Sequence, residues 1–184
     1  MRREFHGVTN PFAIFGLKPH PLLLAENGTA VTIDQLKAVY VKLQSTCHPD
    51  MFATAPEAVK KKAEDYSGNI VAAYKALGDD LSRVKAWLSH EGIELEKQTQ
   101  AVDMEAFERQ MALTETVEAL NEDWSLSQEP WRRLNQLKTQ ALDTLAGLAS
   151  PIDQSDVFGP YGDLALATRL LARWRQIQKN HSEA

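Results

Sequence analysis

A chain of 184 residues with 43% hydrophobic and 24% charged side chains can bury one core, or two small ones, without disulfide or metal staples. Its net charge of −5 argues against the concentrated basic surface that nucleic acid requires, and its single cysteine, Cys47, excludes an internal disulfide. No apolar run approaches the roughly 20 residues of a membrane span, and no apolar leader opens the chain, so we expect a cytoplasmic protein that contacts neither nucleic acid nor membrane.

In chain order, Asn10 is placed to cap a short helix with Pro11 first and Gly16 at its end. Residues 18–31, KPHPLLLAENGTAV, hold two prolines and an Asn-Gly pair and read as a loop. Thr32 with Gln35 forms a capping box, followed by Ile33, Leu36, Tyr40, Leu43 and Cys47 at helical spacing; Pro49 stops that helix. Thr54 with Glu57 reads as a second capping box, opening a longer helix striped by Val59, Ala63, Tyr66, Ile70, Ala73 and Leu77 and ended by Gly78. Asp79 or Asp80 caps a short helix through Leu81, Val84 and Leu88 to Gly92. Residues 93–102 read as a connector. Asp103 then caps a helix to about Trp124, Ser127 opens another to about Ala149, residues 150–162 form a Pro/Gly/Asp-rich loop, and a last helix spans roughly 163–179. The three lysines at 60–62 read as a solvated helix face. No strand alternation, repeat or low-complexity segment stands out. The expectation is an all-α protein: a helical unit over 1–92, a connector over 93–102 and a three-helix bundle over 103–184.

His48-Pro49-Asp50 falls between two capped amphipathic helices. Proline fixes φ and halts the first helix, and the bend then presents a carboxylate and a polar ring on a loop held by a rigid scaffold. The bare tripeptide could be a plain helix-terminating turn; its setting is what distinguishes it. HPD between such helices resembles a J-domain. With NPFAIFGL before it, YVKLQSTCHPDMF around it and SGNIVAAYKALGDDLSRVKAWLSHEGIEL after it, the sequence resembles the HscB family over most of its length. The resemblance implies a J-domain at 1–92 followed by a C-terminal scaffold-binding domain of three helices at 103–184. It also implies that His48, Pro49 and Asp50 dock on the nucleotide-binding half of a DnaK/HscA-class heat-shock chaperone and stimulate its ATP hydrolysis, with Lys37 and Lys42 steering the encounter. Val41 and Thr46 stand at positions often basic in J-domains, and Met51 follows the signature where Lys or Arg is common. These departures imply a weaker or more specialised electrostatic contact, suited to one dedicated partner.

The helix over 103–124 carries two apolar stripes at about 100° per residue. Ala106, Leu113, Val117, Leu120 and Trp124 share one side; Met104, Phe107 and Met111 lie nearly opposite, beside Glu108 and Glu115. Both stripes could be buried between two neighbours. The acidic border favours exposure, and an exposed apolar patch with a polar rim marks an interaction surface, for which methionine is well suited. The resemblance implies that this helix binds an IscU-type iron–sulfur scaffold through Phe107, Met111 and Glu115. Glu108 and Ala112 fall at contact positions with atypical residue types, and Leu170 on the last helix falls where some relatives carry an aromatic contact.

Two other classes stay in view. An enzyme would need a catalytic or ligand constellation. His48 and Asp50 share one bend, and His6, His20, His90 and His181 show no ligand spacing. Neither a phosphate loop nor a nucleophile elbow nor a zinc-type cysteine pair is present, and the cysteine-based zinc module of some eukaryotic relatives is missing. We therefore expect no catalytic activity, no cofactor and no metal. The other class is a J-domain adaptor for a different client protein, and the acid-bordered second stripe is the feature that discriminates.

Overall fold

A computed structural model of the chain describes residues 10–95 and 104–183. Most of the connector, the proposed cap Asp103 and His6 lie outside the described residues. Among the described residues the regular structure is helical apart from one two-stranded ribbon, and the chain divides into two compact units, 1–94 and 95–184. That division falls just beyond the Gly92 boundary read from the sequence. Ile93 is 5% exposed and its N–H donates to the Leu88 carbonyl at 2.8 Å, so the first unit uses at least one residue past the glycine.

In the first unit, α1 (Pro11–Phe15) begins as its sequence requires. The Asn10 side chain accepts the Phe12 N–H at 3.0 Å, proline takes the first position, and Gly16 closes the helix at φ +63°, a conformation that favours glycine. Phe12 and Phe15 are buried. Residues 18–31 are not wholly loop. Leu17–Lys18 (β1) pairs antiparallel with Leu24–Ala25 (β2), a ribbon too short to display alternation in the sequence. It is held by the buried Leu17, Pro21 and Leu23 and by Arg83, only 3% exposed. The Arg83 guanidinium donates to the Pro21 and Leu77 carbonyls at 2.7 Å each and pairs with Asp80, so a buried charge finds the partners it needs.

Helix α2 (Ile33–Cys47) opens with the expected capping box. Gln35 N–H donates to Thr32 Oγ1 at 3.1 Å, and Thr32 N–H donates back to Gln35 Oε1 at 2.8 Å. The second capping box does not form. Helix α3 (Glu57–Gly78) starts at Glu57 with Pro56 at the cap and no side-chain bond, leaving Thr54 two residues too early to cap. Gly78 stays helical, and the extended Asp79 both ends α3 and caps α4 (Asp80–Glu91) by accepting the Ser82 N–H at 2.8 Å. The core joins Leu36, Ile70, Ala73, Leu77, Val84 and Leu88. Ile33, Val59 and Tyr66, all assigned to buried stripes, are 40–47% exposed. Periodicity sets a helix face, but coverage along the axis depends on the partner. At 22 residues, α3 runs about 33 Å against about 22 Å for the 15-residue α2, so part of its stripe has little above it.

In the second unit, α5 (Met104–Glu118) is followed by single 3₁₀ turns at Ala119–Asn121 and Trp124–Leu126, then α6 (Gln128–Ala146) and α7 (Gln154–Glu183). Leu113, Val117, Leu120, Leu134, Leu166, Leu170, Leu171, Trp174 and Ile177 form the bundle core. The α-helix therefore stops six residues short of Trp124, which packs its ring 5.1 Å from Trp174. The Trp174 indole donates to the Ser127 carbonyl at 3.1 Å. The stretch 150–162, expected as loop, becomes helix from Gln154, with Pro160 inside it. Asp153 starts it by accepting both the N–H and the Oγ–H of Ser155. Val157 and Leu164, two turns apart and fully buried, offset a proline cost of about 3 kcal/mol.

Candidate functional site

The HPD tripeptide leaves α2 as a 3₁₀ turn spanning Pro49–Phe52. His48 is its cap, at φ −59°, ψ 133°, and its carbonyl accepts the Met51 N–H at 2.9 Å. Proline suits the first position, where an N–H would go unused. The side chains of His48 and Asp50 are 54% and 90% exposed. His48 Nδ1 lies 3.4 Å from both the Asp50 N–H and the Asp50 carboxylate. It can accept from the first when neutral or donate to the second when protonated, not both. Both contacts are long and solvated, so neither locks the ring; the pair faces outward, available to a partner.

What fixes the turn is the hairpin beneath it. Gln44 Nε2 donates to the Ser67 carbonyl at 3.2 Å while the Ser67 hydroxyl donates to Gln44 Oε1 at 3.0 Å, a reciprocal clasp between α2 and α3. Tyr40 and Tyr74 stack with centroids 4.4 Å apart. Cys47 is buried, donates to the Leu43 carbonyl at 3.0 Å, and burial pushes its thiol pKa up, making it an inert packing residue. Gln44 and Ser67 both fall within the segments that carry the HscB resemblance, but sequence reasoning assigned no contact between them. Lys37 and Lys42 are exposed on α2.

In the second unit, α5 separates its two stripes. Leu113, Val117 and, in the turn that follows, Leu120 are in the core. Met104, Phe107 and Met111 are 63%, 49% and 45% exposed, and Glu108, Ala112 and Glu115 are exposed beside them. With a step of about 100° the six span about 140°, centred opposite the core stripe. Two ion pairs tie the flanks of α5 to α7. Arg109 reaches Asp163 at 3.0 Å, and Arg173 grips Glu118 with two bonds of 2.8 and 2.7 Å. Hydrogen bonding from Arg173 holds the Glu118 carboxyl below its ordinary range. Leu170 does not join the exposed residues. It is 3% exposed within the bundle core, because α7 turns that position inward between Leu166 and Trp174. Among the described residues no group of three or more acidic, histidine or cysteine side chains could hold a metal ion, and no helix is long and apolar enough to cross a membrane.

An all-α chain with an exposed HPD turn at the tip of a clasped hairpin, followed by a separate three-helix bundle, has the architecture of a J-domain co-chaperone. The comparisons narrow that class. No family model matches. A co-chaperone HscB homologue of Vibrio cholerae serotype O1 is 35% identical over 112 residues, 60% of this chain and 61% of that protein; its counterpart in Vibrio vulnificus is 35% identical over 113 residues. The HscB homologue of Bordetella petrii is 26% identical over 145 residues, 78% of this chain and 80% of the relative. The match thus spans about 61% of the length of the Vibrio cholerae relatives. The solved structure of the chaperone HscB from Vibrio cholerae has the same fold, with a TM-score of 0.74 at 24% identity over 94% of this chain and 99% of that one. Human co-chaperone HscB gives 0.72 at 20% identity over 100% of this chain and 94% of that one. Together these similarities support an HscB-type co-chaperone.

Proposed function

We propose that this chain binds an IscU-type iron–sulfur scaffold and delivers it to a DnaK/HscA-class chaperone, stimulating that chaperone's ATP hydrolysis while performing no catalysis itself and working in the cytoplasm. The observation that carries the proposal is the presence of two exposed sites on separate units: the HPD turn on the first, and the acid-bordered Met104–Phe107–Met111 face on the second. His48, Pro49 and Asp50, with Lys37 and Lys42, engage the chaperone. Met104, Phe107, Glu108, Met111, Ala112 and Glu115 engage the scaffold. Leu170 supports that face from within the core.

The test is His48→Gln in the full chain, assayed with a purified DnaK/HscA-class chaperone and an IscU-type scaffold. His48 is an exposed cap whose two side-chain contacts, both to Asp50, are long and solvated, so the variant should fold as the parent does. Chaperone ATPase stimulation should collapse while scaffold binding, read by calorimetric titration, persists. Undiminished stimulation would remove the HPD assignment, and absence of scaffold binding by the parent chain would favour an adaptor for a different client.

A further inference from the structure

Met51, at 70%, and Val41, at 55%, are the two most exposed large hydrophobic side chains in the described first unit; Ile33, Val39, Val59 and Tyr66 are all below half. Met51 belongs to the HPD turn and Val41 to the helix that leads into it. Met51 follows Asp50 within the 3₁₀ turn, and Val41 lies nearly two turns before the end of α2. With a step of about 100°, Lys37, Val41 and Ser45 fall within about 80° of each other on α2, along a stripe that runs toward His48, whereas Lys42 is turned about 100° from Val41. That stripe carries Asp34 at its far end, then one lysine, the apolar Val41 and one hydroxyl, and it leads to the turn that holds Met51.

Scattered exposed hydrophobics are ordinary, but the two largest exposures of the unit are not scattered. A basic stripe steers a partner from a distance and loses that advantage in salt. An apolar pair acts only on contact, through the area it buries. We infer that Val41 and Met51 form an apolar docking contact beside the HPD turn, fitted to a DnaK/HscA-class chaperone whose facing surface is itself apolar at that point. This rests on the reading of HPD as the chaperone contact; it adds that the adjoining recognition is by shape and burial more than by charge.

The experiment titrates the full chain against a purified DnaK/HscA-class chaperone, without scaffold, at low and high salt. It compares the parent with Val41→Ser plus Met51→Ser, with Val41→Lys plus Met51→Lys, and with His48→Gln. Because both side chains are exposed, melting curves should coincide. The serine pair should raise the concentration for half-maximal stimulation about tenfold or more and leave the maximum unchanged. The lysine pair should raise it as well, and the parent's own value should move less than about threefold with salt. An unchanged half-maximal concentration in the serine pair would overturn the inference, as would tighter, strongly salt-dependent docking by the lysine pair. Full stimulation by His48→Gln would instead overturn the HPD reading on which it depends.

Discussion

Truncating the exposed face of α5 separates an interaction surface from a core by magnitude. Phe107 and Met111 are 49% and 45% exposed, so each has lost about half its accessible surface. Fully burying such a side chain is worth about 1.5–3 kcal/mol, which puts half-burial near 1 kcal/mol apiece. Alanine returns part of this, since it exceeds phenylalanine and methionine in helix propensity by a few tenths of a kcal/mol each. The double change Phe107→Ala plus Met111→Ala should therefore cost about 1 kcal/mol of folding stability, or about 4–8 °C in the melting of a domain this size. Were both residues core, the sum would be about 5 kcal/mol or more and the bundle would unfold. Binding responds in the opposite sense. A hot-spot side chain contributes about 2 kcal/mol or more, so losing even one weakens the complex roughly 30-fold. Calorimetric titration with an IscU-type scaffold, beside a melting curve, reads both quantities on one preparation. ATPase stimulation without scaffold should be intact. A folded variant with parental affinity would refute the assignment, as would a collapse of melting temperature without change in affinity.

The remaining predictions concern the frame that holds the sites. Arg83→Leu withdraws donors from the buried carbonyls of Pro21 and Leu77 and should cost about 3 kcal/mol or more; a melting shift below about 5 °C would show the ribbon needs no such anchor. Glu118 has its pKa lowered by Arg173, so the stability it contributes is present above the ordinary glutamate value of 4.5 and lost as pH falls through the lowered one. Because the pair is 40–47% exposed, the effect is small and salt-screened, and Glu118→Gln should flatten only part of the acid limb in melting temperature against pH; parallel profiles would show the pair contributes nothing. A fragment of residues 1–95 should melt cooperatively, and one ending at Gly92 should melt several degrees lower for lack of the buried Ile93; equal melting would place Ile93 outside the first unit's core.

The local chemistry of this chain was legible wherever a single residue type has a single mechanism. Asn10, Thr32, Asp79, Gly16 and Gly92 perform the caps that their positions imply. The failures have both local and tertiary causes. Thr54 had the pattern of a cap, but the helix began later. Residues 150–162 had loop composition, yet Val157 and Leu164 find a core and carry the helix through Pro160. Ile33, Val59 and Tyr66 share angles with core residues but not their coverage. The two faces of α5 were visible because a surplus of apolar residues breaks the one-stripe rule. Leu170 was misjudged because no angle on α7 distinguishes an inward leucine from a contact until the neighbouring helices are in place.

The same comparison shows which departures from local consistency carry function. A buried arginine and an exposed phenylalanine both violate the ordinary distribution of side chains. Arg83 resolves its violation inside the fold, with acceptors from Pro21 and Leu77 and an ion pair to Asp80, and so it is a structural anchor. The Met104–Phe107–Met111 face and the Val41 and Met51 side chains leave apolar surface facing solvent. Alanine or glutamate on α5 would be more helical and more soluble than phenylalanine, and half-burial of Phe107 returns only about 1 kcal/mol, so the bundle gains little from the residue present. A clustered apolar face with an acidic border is the kind of surface that a partner molecule covers, and the two surfaces lie on different units. Each can therefore be altered without touching the other, a separation that the proposed adaptor role requires.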